Sequence, residues 1–156
     1  MRRDYFTLDV RNTGDDEGTG TPDIPTLAVD FDGPGDQLRD RFTDESGDTL
    51  DDEEVDVSYR LHGPIEDAGT GGVVAVADRV TGDFVLELNA DAGTITRFVD
   101  AARTYGKDTE DGKRYRIEVA IDGDPFVAYE KATFLVYDAD GGLLRGHSLI
   151  PSGVEL

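Results

Sequence analysis

The sequence predicts an α+β fold: a twisted, mostly antiparallel sheet of about eight strands packed against one main amphipathic helix. Three observations predict it. Stretches with apolar residues at every second position recur along most of the chain. The connections between consecutive stretches are short and rich in Asp and Gly, which favours antiparallel neighbours. A single stretch carries a sustained helical period. At 156 residues one domain is the default, expected over 4–151, and the chain is long enough to bury a core without a disulfide or metal staple.

Tyr5 to Val10 alternates, with Phe6, Leu8 and Val10 on one side, and reads as a half-buried strand. Residues 13–25 carry Gly, Asp, Thr and Pro with no apolar period and are expected to be a mobile loop. Thr26 to Phe31 resumes period two and stops at Asp32-Gly33-Pro34-Gly35. Leu38 and Phe42 lie four apart, enough for a short helix over Asp36 to Phe42. Asp44 to Asp56 then carries eight acids and no base, so 44–54 is expected to be a solvated acidic loop. Val55, Val57, Tyr59 and Leu61 form the cleanest one-sided strand, and Gly69 to Gly72 reads as a flexible connection. Val73 to Val80 and Phe84 to Leu88 flank Thr81-Gly82-Asp83 as a hairpin.

Thr94 to Tyr105 is the main helix: at 100° per residue Ile95, Phe98, Val99, Ala102 and Tyr105 fall within an arc of about 120°. Asp91 or Thr94 can cap its start, and Gly106 suits its end. Tyr115 to Ile121 alternates again. Asp122-Gly123-Asp124-Pro125 turns the chain into Phe126 to Tyr137, one long strand or two broken near Lys131. Asp138 to Gly142 turns it into a last strand, Leu143 to Ile150.

Composition excludes several functions. There is no Cys, so thiolate nucleophiles, iron–sulfur sites and zinc fingers are absent. No apolar run approaches the roughly 18 residues of a membrane span, and no signal-like stretch develops at the start. The expected protein is soluble and cytoplasmic, with no membrane contact. Net charge is −20, from 15 Lys and Arg against 35 Asp and Glu. Of the acids 25 are Asp, and of the bases 12 are Arg. That bias resembles the composition of cytoplasmic proteins from salt-in halophilic archaea, where molar salt screens surface carboxylates over about 3 Å. The opening Arg2-Arg3-Asp4-Tyr5-Phe6-Thr7-Leu8-Asp9-Val10 and the chain length resemble a group of small, uncharacterised haloarchaeal proteins. The resemblance implies no activity.

Candidate chemistry is sparse. Asp30, Asp32 and Asp36 fall at positions one, three and seven of a calcium-type loop, but position twelve is Arg41 where a bidentate Glu is needed. Asp138-Ala139-Asp140-Gly141-Gly142 is shorter and sits between strands, where Asp-Gly is ordinary hairpin chemistry. No metal and no cofactor is expected. His62 and His147 are the candidate catalytic bases. Ser148 follows His147 directly, and neighbours on a strand face opposite ways, so the pair is badly placed for nucleophilic catalysis. The glycines at 69, 71 and 72 precede a strand, whereas phosphate-cradling glycines open a helix. The cations Lys107, Lys113, Arg114 and Arg116 are interleaved with acids, which argues against nucleic-acid binding.

The function expected from these residues is a non-enzymatic protein-binding or assembly module acting through a sheet edge or face. Its partner surface is expected at Asp51, Asp52, Glu53, Glu54 and Tyr59, with a protein partner or self-association through the C-terminal hairpin. The rival is a small enzyme using His62, His147 and carboxylates in a pocket between helix and sheet.

Overall fold

Strands with one apolar face need something to cover it, and the whole architecture follows from how that need is met. A computed structural model describes residues 5–11, 24–65, 67, 69–106 and 113–150. The elements are β1 (Phe6–Arg11), β2 (Thr26–Phe31), α1 (Gly35–Arg41), β3 (Val55–Leu61), β4 (Gly71–Asp78), β5 (Phe84–Asp91), α2 (Ala92–Gly106), β6 (Tyr115–Ile121), β7 (Asp124–Lys131) and β8 (Leu135–Tyr137). The fold is α+β, but its eight strands form two four-stranded sheets, ordered β1-β2-β6-β7 and β5-β4-β3-β8.

This corrects the expected single sheet. Eight strands side by side span roughly 34 Å at about 4.8 Å per step, whereas one helix is only about 10 Å wide. The helix cannot cover that face, so two half-sheets and α2 share one core. Both sheets are also mixed. Sequence neighbours pair antiparallel, as in β1·β2, β3·β4, β4·β5 and β6·β7. The remaining ladders, β2·β6 and β3·β8, are parallel and join strands far apart in the chain.

The stretch from Phe126 to Tyr137 does break beyond Lys131, and its halves enter different sheets as β7 and β8. Leu143 to Ile150 is not a strand. It forms isolated bridges at Leu143 and Leu149 around a 3-10 turn, Arg145–His147. Ser148 holds that shape: its buried hydroxyl donates to Leu144 O at 2.7 Å and accepts from Val136 N at 2.9 Å. The loop expected over 13–25 lies outside the described residues except for Ile24 and Pro25.

Aromatic rings join the layers. Phe98 of α2, Tyr115 of β6 and Phe134 meet edge to face with centroids 5.4–5.7 Å apart. Three buried tyrosines each donate to a carbonyl: Tyr59 to Ala90, Tyr115 to Thr133 and Tyr129 to Leu50. Burial disfavours the phenolate in each, so their hydroxyls stay protonated, with that of Tyr59 pushed up to about 12. The β6–β7 turn is Asp122-Gly123, with φ of 51° and 82°. Those values belong to the tight hairpin turn that Asp-Gly favours.

Helix α2 starts where Asp91 ends β5. The Asp91 carboxylate accepts from Thr94 N at 3.0 Å and from the Thr94 hydroxyl at 2.9 Å. The Thr94 backbone bond, then its hydroxyl, holds the carboxyl below its ordinary range. Its stabilisation is therefore complete above the unfolded carboxylate pKa and is lost as pH falls through the lower folded value. Asp91→Ala is expected to cost about 1 kcal/mol at neutral pH. Melting curves against pH should show the gap between wild type and variant closing in acid; a gap independent of pH would refute the cap.

Candidate functional site

The two histidines are exposed and lie on different elements. His62 follows the last residue of β3, where its backbone donates to Gly71 O at 2.9 Å, and His147 closes the 3-10 turn before Ser148. The Ser148 hydroxyl is occupied by the two bonds described above. Among the described residues no three His, Asp or Glu side chains come together. Asp30 accepts from Gly123 N at 3.0 Å and so braces the β6–β7 turn. Asp32 is exposed, and Asp36 lies on α1 and pairs with Arg39 at 3.3 Å. The three therefore have separate surroundings.

The acidic run is built into the fold. Asp44 Oδ1 accepts from Ser46 N and Asp48 N, both at 2.9 Å, and closes a small bridge between Thr43 and Thr49. Asp51 and Glu54 form a reciprocal capping box around the 3-10 turn Asp52–Glu54. Lys131 donates to Asp52 O, and Tyr129 to Leu50 O, so β7 grips the segment from behind. Asp51 and Glu53 are exposed, while Asp52 and Glu54 are half-buried. Tyr59, expected beside them, is 1% exposed and its ring belongs to the core. Strand β3 lies between β4 and β8, and its backbone is paired on both sides from Ser58 to Arg60.

What the sequence reading missed is the outer face of the first sheet. Side chains alternate across a strand, so burying Leu27, Val29, Phe31, Ile117, Val119 and Ile121 sends their neighbours outward. Three rows then cross all four strands: Arg11–Thr26–Arg116–Glu130, Asp9–Ala28–Glu118–Ala128 and Thr7–Asp30–Ala120–Pro125. Small side chains at Ala28, Ala120, Ala128 and Pro125 leave an open groove of about 590 Å³. Its rim holds Arg11, which contacts Asp9 at 3.3 Å and Glu118 at 3.8 Å. Arg116 Nε lies 3.0 Å from Glu118 Oε1, but outside the angle of a hydrogen bond and closed to solvent. The site thus offers a floor without bulky side chains and two guanidinium groups at its edge. Alanine at outward positions of three strands is its only sequence signal, and that becomes legible only once β2, β6 and β7 are placed in register.

A smaller cleft of about 450 Å³ opens where the edges of β1 and β5 meet the start of α2. It is lined by Asp9, Asn89, Asp91, Thr94 and Arg97 among others.

A model of a family of unknown function, DUF5793, matches residues 1–156. The chain belongs to that family. No curated protein and no solved structure matches it. No helix among its described residues is long and apolar enough to cross a membrane.

Proposed function

We propose that this chain is a non-enzymatic protein-binding or assembly module adapted to a salt-rich cytoplasm, and that it engages its partner through the outer groove of the first sheet. The observation that carries this reading is the groove itself. Strands β2, β6 and β7 present alanines and a proline at its centre, with charges of both signs around them, on a chain of net charge −20. A volume of about 590 Å³ is within the range of roughly 300–1,000 Å³ typical of ligand clefts. Apolar floors with polar rims are the anatomy of protein contact sites. The exposed acids Asp51 and Glu53 remain a second contact region under the same reading.

The enzymatic alternative would use the cleft at the start of α2. Its carboxylate Asp91 is committed to capping the helix, and neither His62 nor His147 lines it. The binding reading therefore has the better support.

The test is affinity purification in molar KCl with the tagged wild type and with Ala128→Glu, which places a bulky acid in the groove opposite Glu118. A protein in stoichiometric amount should elute with wild type and be reduced at least tenfold with the variant. Recovery unaffected by Ala128→Glu, or no stoichiometric protein with wild type, would overturn the proposal.

A further inference from the structure

We infer that Asp32-Gly33 is a site of covalent modification, where the aspartate isomerises through a cyclic imide to isoaspartate. The inference is independent of the binding reading. The chain has four Asp-Gly pairs and no Asn-Gly pair. In such pairs no side chain on the second residue shields its amide nitrogen from the preceding carboxyl carbon. Asp111-Gly112 lies outside the described residues. Asp32, Asp122 and Asp140 are all exposed, so exposure does not rank the other three pairs. Hydrogen bonding does. Gly123 N donates to the Asp30 carboxylate at 3.0 Å, and Gly141 N donates to Asp138 O at 3.0 Å. Gly33 N has no partner among the described residues, and neither has the Asp32 carboxylate. The fold also keeps glycine at this position: a Cβ would lie 2.7 Å from Phe31 Cζ and 2.9 Å from Tyr5 Cδ2. The side chain that would shield the amide is therefore barred by two rings.

The reaction needs no co-reactant beyond water. Gly33 N attacks Asp32 Cγ of the protonated carboxyl; the new C–N bond forms as a Cγ–O bond breaks. The departing oxygen takes the carboxyl proton and the amide proton and leaves as water. A second water then adds to the main-chain carbonyl carbon of Asp32 and breaks its bond to Gly33 N, which regains a proton. The main chain now runs through Asp32 Cβ and Cγ, the former main-chain carbonyl has become a free carboxylate, and mass is unchanged. One added main-chain atom between β2 and α1 displaces Gly33 from its place against Tyr5 and Phe31.

Ageing the folded full chain in molar KCl at neutral pH in heavy-oxygen water tests this. Digestion in ordinary water, chromatography of the isobaric peptides and mass spectrometry then read isoaspartate and the solvent oxygen gained at each site. Isoaspartate should accumulate at 32 about fivefold faster than at 122 or 140, the factor that one net hydrogen bond is worth. Asp30→Ala frees Gly123 N and should raise the rate at 122 by a similar factor while leaving that at 32 unchanged. In the chain unfolded by guanidinium the three glycine amides are equivalent, and the ranking should vanish. Equal accumulation at the three sites of the folded protein overturns the inference, as does a ranking that survives unfolding. So does a peptide containing Asp32 that gains no heavy oxygen. The wild-type ranking decides the matter by itself, whether or not the variant folds.

Discussion

Gly72→Ala is expected to destabilise the protein by about 3 kcal/mol. A Cβ at this position would lie 2.5 Å from Arg60 O and 2.6 Å from both the Tyr59 ring carbon Cζ and its hydroxyl oxygen. Neither neighbour can move cheaply. Arg60 O belongs to the backbone of β3, which pairs with β4, and the Tyr59 ring is buried with its hydroxyl fixed 2.8 Å from Ala90 O. Gly72 is absent of side chain because the tyrosine of one strand crosses over it to reach the next strand but one. A glycine inside a strand often marks such a close approach. Gly71→Ala is the control: nothing lies within 4 Å of its Cβ position. Lower backbone entropy in the unfolded chain should make it neutral or stabilising by up to about 1 kcal/mol. For a chain this size the Gly72 variant should melt roughly 6–12 °C lower than wild type. Equal melting temperatures for the two alanine variants would show that Tyr59 does not cross at Gly72.

Gly72 also shows what could be read from the sequence and what could not. The alternation of Val55 to Leu61 and of Tyr115 to Ile121 gave the limits of β3 and β6 residue for residue, because a one-sided strand writes its period directly. The same alternation put Tyr59 among the inward residues, although its neighbouring acids suggested a surface role. Which layer covers an apolar face is a different matter. Period two says that one face is buried and is silent on whether a helix or another sheet buries it. The division into two sheets depends on β2·β6 and β3·β8, parallel ladders between strands separated by about half the chain. No local turn signal encodes such pairings. Gly71-Gly72 looked like the end of a flexible loop for the same reason: the ring that requires Gly72 comes from another strand.

The candidate site was less legible. Charge counts drew attention to the acidic run, yet several of its carboxylates are turn hardware, and the Asp51-Asp52-Glu53-Glu54 capping box could have been recognised from its spacing. The groove is made of residues that individually signal nothing. Ala28, Ala120 and Ala128 become a floor only once β2, β6 and β7 are placed side by side in register.

Removing salt is expected to produce the second large effect, and the turns determine how it must be interpreted. With a net charge of −20, screening that shortens from about 10 Å at 0.1 M salt to about 3 Å at 1 M should relieve several kcal/mol of self-repulsion. At about 3 °C per kcal/mol the melting temperature should fall by roughly 10–20 °C between those two KCl concentrations. Not every acid should contribute to that fall. Asp44, Asp51, Asp67, Asp78 and Asp138 each accept from the backbone N–H two residues on. Only a short carboxylate reaches that far back along its own chain, so part of the preference for Asp over Glu is turn chemistry. The two roles separate experimentally. Neutralising exposed acids of the run, with Glu45→Gln, Asp48→Asn and Glu53→Gln together, should raise the melting temperature at low salt and leave it unchanged at high salt. Asp44→Ala removes two backbone bonds and should lower it by a similar amount at both. A melting temperature indifferent to KCl, or a triple variant whose gain persists in molar salt, would mean that the carboxylates do not act on this fold through their mutual repulsion.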